Sequence, residues 1–150
     1  MKILLIEDDL NKSKQIVDFF HEDFPGGEIE LRRSYQSGLK EIFFNSYDII
    51  LLDMQLPNFD IKSGEDGYRF RKLAGMDILR EIQRKRKQYK VIIVTQFETF
   101  GENESYIELN DLKKMIKDQY GNLYIDTVFY SANQSIWKKQ LKEIINHAND

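Results

Sequence analysis

Cysteine is absent from this chain of 150 residues. That excludes disulfides and cysteine-ligated metal, and it suits a reducing compartment. Long apolar runs are missing as well. The amino terminus offers only the apolar stretch Ile3–Ile6 before Glu7, too short for a signal-peptide core or a membrane span. No sign of charge dominates. The formal net charge is −3, which gives no global pull toward nucleic acid or an anionic membrane. No internal repeat, low-complexity tract or linker divides the sequence. Asn-x-Ser triplets begin at Asn11, Asn103 and Asn133, and without a secretion signal they read as chance matches.

What is present is ordinary for a globular protein. Hydrophobic residues make up 41% and charged residues 31%, in a length that suits one domain over 1–150. Ile3–Ile6, Ile49–Leu52 and Val91–Val94 are short continuous runs of Ile, Leu and Val. Such runs predict strands buried on both faces of a parallel sheet. Ile29–Arg33 alternates and predicts a strand nearer an edge. Tyr124–Tyr130 predicts a further strand, with Val128 and Phe129 facing the core.

Helical patterns separate these runs. Leu10 to about Glu22 carries Ile16, Val17 and Phe20 on one side, and Asp9 can cap it. Ser34 can cap a helix with Tyr35, Leu39, Ile42 and Phe43 at helical spacing. Gly75 leads into a helix with Ile78, Leu79 and Ile82. Asn110 is expected to cap one with Leu112, Met115 and Ile116, stopped by Gly121. Asn133 precedes a last helix with Trp137, Leu141, Ile144 and Ile145. This alternation predicts an α/β fold with right-handed crossovers and helices on both faces.

In such sheets the reactive crevice lies beyond the carboxyl ends of the strands. The first strand ends before Glu7-Asp8-Asp9, the third delivers Asp53 and the fourth delivers Thr95. If those strands are neighbours, the acids and the hydroxyl meet. Clustered carboxylates repel one another, and a divalent cation relieves the repulsion. Mg²⁺ binds through one or two carboxylates plus water and phosphate oxygens. The plainer role for Asp9 is to cap the first helix.

The segments K-I-L-L-I-E-D-D at 2–9, Y-D-I-I-L-L-D-M-Q-L-P at 47–57, G-M-D-I-L-R-E-I at 75–82 and V-I-I-V-T at 91–95 resemble the receiver domain of two-component response regulators. The likeness is good over 1–95 and rests on element order beyond that. It implies a flavodoxin-like three-layer α/β/α sandwich with strand order 2-1-3-4-5. It further implies that Asp53 is a phosphoacceptor, forming an aspartyl phosphate from a phosphohistidine or a small phosphodonor. Asp8 and Asp9 would hold Mg²⁺ with Asp53 and the backbone carbonyl of Gln55. Thr95 would contact a phosphoryl oxygen. Phosphorylation would then shift populations at the face of the fourth helix, fifth strand and fifth helix.

The sequence also departs from that family. A lysine usually ends the fifth strand, often before a proline, and pairs with the phosphate. Here those places fall near Ser131 and Ala132, and no lysine lies between Lys117 and Lys138. Lys117 reads as helix surface. A small residue usually follows Thr95, and Gln96 stands there, where it is expected to crowd the phosphate. Phe129 holds the place of the family's switch aromatic. Insertions are expected at about 58–74, rich in charge and carrying Gly64 and Gly67, and at about 97–110. In the second, Phe97, Phe100, Tyr106 and Ile107 suit either core or a contact patch. The basic run at 84–87 reads as a solvated helix end. His21 and His147 read as surface residues without metal spacing.

No output segment follows the fifth helix, so a stand-alone cytoplasmic receiver, not an enzyme beyond its own phosphorylation and dephosphorylation, is the expected function. Its partners would be a sensor histidine kinase or phosphotransfer protein and a downstream protein target, with Tyr106, Ile107 and the last helix as a homodimer surface. The alternative is a pseudo-receiver that binds partners regardless of phosphate. A phosphohydrolase with an aspartyl nucleophile is disfavoured, because Gln55 occupies the place of its acid/base.

Overall fold

In the computed structural model, which describes residues 1–60, 70–100 and 106–150, strand and helix alternate along the chain. The elements are β1 (Lys2–Ile6), α1 (Leu10–Asp23), β2 (Glu28–Arg32), α2 (Tyr35–Phe44), β3 (Ile49–Leu52), β4 (Leu56–Pro57), β5 (Phe70–Arg71) and α3 (Ala74–Arg84). They continue with β6 (Val91–Thr95), β7 (Thr99–Phe100), β8 (Ile107–Glu108), α4 (Leu109–Tyr120), a 3₁₀ turn (Gly121–Leu123), β9 (Tyr124–Phe129) and α5 (Ile136–Ala148).

Among the described residues, β2, β1, β3, β6 and β9 form one parallel sheet in that order. Counting only these sheet strands, the order is the expected 2-1-3-4-5. Period-two alternation sorts the apolar runs onto two layers. Ile3, Leu5, Ile49, Leu51, Ile92 and Val94 pack with α1 and α5. Leu4, Ile6, Ile50, Leu52, Val91 and Ile93 pack with α2, α3 and α4. Each buried aliphatic side chain contributes about 1.5–3 kcal/mol relative to exposure, which is why runs of four suffice to fix the central strands.

Local signals set the helix starts. Asp9 accepts a hydrogen bond from Lys12 N, as expected of a cap. Ser34 and Ser37 form a reciprocal capping box on α2. One expected cap is corrected. Asn110 lies inside α4, whose cap position is Glu108, because β8 runs directly into the helix. Asn133 precedes α5, as expected, and the helix begins after Ser135. Gly121, at φ 53, ends α4 in a backbone region that glycine adopts without strain.

Phe129 is a second correction. It is 36% exposed, whereas Val128 is buried. A register irregularity between Val91 and Ile92 shifts the pairing of β9. Val128 then faces the α1–α5 layer, while Phe129 lines an open cleft with Leu109, Lys113 and Ile144.

The insertions are anchored by small antiparallel ribbons. β4 pairs with β5, and β7 pairs with β8. Arg71 bonds Asn58, pairs with Asp77 at 3.1 Å and lies 4.0 Å over the Tyr35 ring. Lys62, Gly64, Glu65, Asp66, Gly67 and Arg69 of the first insertion, and Asn103 of the second, lie outside the described residues. Phe100 is buried, Phe97 and Ile107 pack against the core, and Tyr106 is exposed. Of these four residues, Tyr106 alone is left to a contact patch. Lys117, His21 and His147 are at the surface.

Gly38 sits where α2 crosses β1. A Cβ there would lie 2.7 Å from Ile6 Cδ1 and 2.8 Å from Ile6 Cγ2. Overpacking of this kind costs about 1–3 kcal/mol, and the better helix propensity of alanine returns about 1 kcal/mol. Gly38→Ala is therefore expected to destabilise by about 1 kcal/mol in urea unfolding. A stabilised variant would contradict the close approach.

Candidate functional site

The parallel register brings the ends of β1 and β3 together. Leu52 is opposite Ile6, and Asp53 N donates to Ile6 O at 3.1 Å. Asp53 and Glu7 thus emerge side by side at the carboxyl edge of the sheet. Asp53 is 4% exposed and Glu7 is 2% exposed. Both line a cavity of about 300 Å³ whose wall also includes Asp8, Asp9, Gln55 and Gln96. Gln96 thus stands at the place where crowding was expected.

The Asp53 carboxylate is held at both oxygens. Oδ1 accepts from Met54 N at 2.7 Å, and Oδ2 lies 3.3 Å from Lys12 Nζ. Lys12 is fully buried. Its ammonium also lies 2.5 Å from Glu7 Oε1 and donates to the Val94 carbonyl at 2.7 Å. Burial alone would depress the Lys12 pKa, but the charges of Asp53 and Glu7 outweigh it and hold the ammonium above its ordinary value. Burial lifts the Glu7 carboxyl to about 7, with Asp53 adding to the rise and Lys12 opposing it. Burial also raises Asp8, against the pull of Arg33, and the charges of Asp9, Asp53 and Asp60 reinforce the shift.

Each residue singled out in the sequence has a definite place. Asp8 lines the cavity and feels the charge of Asp53. Asp9 lines it too, but it is exposed and its Oδ1 is committed to the α1 cap. Thr95 is buried at the end of β6, and its Oγ1 accepts from Phe97 N at 3.2 Å. It does not appear on the cavity wall. Gln55 does.

Lys12 escaped the sequence reading, and Glu7 was grouped with Asp8 and Asp9 without a role of its own. Glu7 extends the alternation of Ile3 and Leu5, so period two alone puts it on the α1 side of the sheet. Lys12 stands four residues before Ile16 on the buried face of α1, a position where i,i+4 spacing assigns burial.

The donor chemistry suits Mg²⁺. Asp8, Asp9, Asp53 and Gln55 line the cavity, and this ion needs only one or two carboxylates besides water and phosphate. Among the described residues no three acidic or histidine side chains converge closely enough to hold a metal by themselves. Among the described residues, no helix is long and apolar enough to cross a membrane.

A sequence model of the response regulator receiver domain matches residues 3–119. The chain is 34% identical over 144 residues to the uncharacterized protein y4jR of Sinorhizobium fredii, covering 95% of each. It is 31% identical over 144 residues to the Detocs response regulatory protein DtcB of Enterobacter cloacae, covering 94% of this chain and 95% of that one. Among solved structures, a response regulator receiver domain protein from Clostridium thermocellum matches with a TM-score of 0.64 at 26% identity, covering 98% of this chain and 92% of that one. The response regulator TrrA of Thermotoga maritima, solved in complex with Mg(2+)-BeF, shares the fold at a TM-score of 0.60 and 22% identity, covering 95% and 97%.

Proposed function

Because the chain belongs to the response regulator receiver domain family, we propose that it is a Mg²⁺-dependent phosphorylation switch with Asp53 as the acceptor. The observation that carries this reading is the placement of Asp53. Its carboxylate ends a buried strand at the floor of an acid-lined cavity, with an ammonium 3.3 Å away.

In the transfer step a carboxylate oxygen of Asp53 attacks the phosphorus of a phosphohistidine or a small acyl phosphate. The new O–P bond forms as the donor's P–N or P–O bond breaks, and the leaving imidazole or carboxylate keeps the electron pair. Met54 N–H and Lys12 fix the carboxylate's orientation. Asp8, Asp9, Asp53 and the Gln55 carbonyl would hold Mg²⁺, in part through water, and Asp9 also caps α1 at the cavity rim. When bound there, Mg²⁺ supplies positive charge to the transferring phosphoryl oxygens. Thr95 Oγ1 accepts from Phe97 N–H, which leaves its hydroxyl hydrogen for a phosphoryl oxygen.

The unit spans residues 1–150 with insertions at about 58–74 and 97–110, and it works in the cytoplasm. A sensor histidine kinase or phosphotransfer protein is the donor. A downstream protein docks at the cleft between α4, β9 and α5, where Phe129 is exposed.

The test is intact-mass measurement after incubation with Mg²⁺ and acetyl phosphate. The expected result is one added phosphoryl group, absent in Asp53→Asn and suppressed by chelation of the metal. An unmodified wild-type protein would defeat the reading in favour of a phosphate-independent interaction module.

A further inference from the structure

Lys12 approaches Asp53 from α1, not from the end of β9, where Ser131 stands. Its ammonium has three hydrogens and three acceptors around it: Glu7, the Val94 carbonyl and Asp53. The Tyr130 ring covers it at 5.8 Å. Tyr130 in turn donates to Gln15 Oε1 at 2.7 Å and lies 5.1 Å from the Trp137 ring, which meets Phe19 at 5.7 Å. One cation therefore connects the Asp53 carboxylate to a chain of aromatic contacts between α1 and α5.

We propose that Lys12 fills the role left open at Ser131, pairing with the phosphoryl oxygens of modified Asp53 and passing the change to α1 and α5. The inference rests on Asp53 being the acceptor. Phosphorylation replaces one carboxylate charge by about −1.5 to −2 on three strong acceptor oxygens. A buried ammonium within reach of that group follows the larger charge, because screening by water is weak there. Of its three present contacts, the one to Asp53 is the longest at 3.3 Å and the first to be exchanged. The lysine is part of the helix, so its movement displaces the first turns of α1. Tyr130 and Trp137 rest on the same layer and report it.

Trp137 is the single tryptophan of the chain, so its emission gives a clean readout. The full-length protein is treated with Mg²⁺ and acetyl phosphate while mass and Trp137 emission are followed together. The expected result is an emission change that tracks the adduct and is absent in Asp53→Asn. In Lys12→Met the adduct is expected to form about tenfold more slowly or worse, with Trp137 no longer responding. Backbone amide shifts of the wild-type protein on modification decide the matter even if the methionine variant does not fold. Shifts at Lys12, Ser13, Ile16 and Tyr130 support the proposal, and shifts confined to α4 and β9 overturn it. An adduct with silent Trp137 and silent α1 amides overturns this inference alone. The absence of any wild-type adduct overturns the assignment of Asp53 as well.

Discussion

Lys12→Met is expected to destabilise the protein by about 3–5 kcal/mol in urea unfolding, the loss typical when one partner of a buried ion pair is removed. Methionine keeps most of the apolar stem, so little packing is lost. What disappears is the charge between Glu7 and Asp53, two carboxylates that are 2% and 4% exposed. They would then face each other without a counter-ion, and the Val94 carbonyl would lose its donor. The size of the effect therefore measures how far Lys12 neutralises the site. Adding Glu7→Gln to Lys12→Met should recover part of the loss, since one of the two stranded charges is gone. The coupling between the two substitutions is expected to reach about 1 kcal/mol or more, as for residues in direct contact. A single variant that loses less than about 1 kcal/mol would show that the ammonium is not the group holding these carboxylates.

The layers of the fold were legible because their driving force is local. Ile3–Ile6, Ile49–Leu52 and Val91–Val94 are apolar on both faces, and only a sheet covered on both sides hides every one of them. The edge strands carry weaker signals. Glu28–Arg32 alternates, and its polar side chains reach solvent. In β9 the pairing irregularity beside Ile125 turns Phe129 outward, and no composition rule registers such a shift. Caps at Asp9 and Ser34 were readable because each is followed directly by its helix. Asn110 misled because a short ribbon strand, β8, delivers the chain into α4 from outside.

The site was half legible. Asp53 could be placed because a buried strand leads to it and a proline follows at Pro57. Asp8 and Asp9 are identical neighbours and draw attention as a pair, and both line the cavity beside Asp53. Side chains alternate along β1 and its continuation, so Glu7 is the one that turns toward Lys12. Lysine itself is a poor core signal, since its charge ordinarily keeps it in water. Its burial here depends on two carboxylates supplied by β1 and β3. One of them is 41 positions away in the sequence, as 53 minus 12 shows. Only the assembled sheet brings those charges to one point, so no reading of α1 alone assigns the ammonium to Asp53.

Trp137→Ala should cost about 3–5 kcal/mol, the range for removing a large aromatic side chain from a core, with a fall in Tm of about 10 °C for a chain of this size. Trp137 is fully buried, and it fills the space between Phe19 of α1 and Tyr130 at the end of β9. Leu141 and Ile145 of the same helix join it in the layer above Ile92 and Val94. Alanine would open a void at the junction of the two helices, and the close-packed sheet beneath cannot rise to fill it. Trp137→Phe makes the sharper comparison. Among the described residues, the indole Nε1 has no hydrogen-bond partner, and an unsatisfied buried donor costs about 1–3 kcal/mol. Phenylalanine removes that donor along with part of the ring, so the two changes oppose each other and the variant should remain within about 1 kcal/mol of the wild type. If phenylalanine proves as damaging as alanine, the indole N–H must be satisfied in solution, and Trp137 would owe its place to a hydrogen bond instead of to its volume.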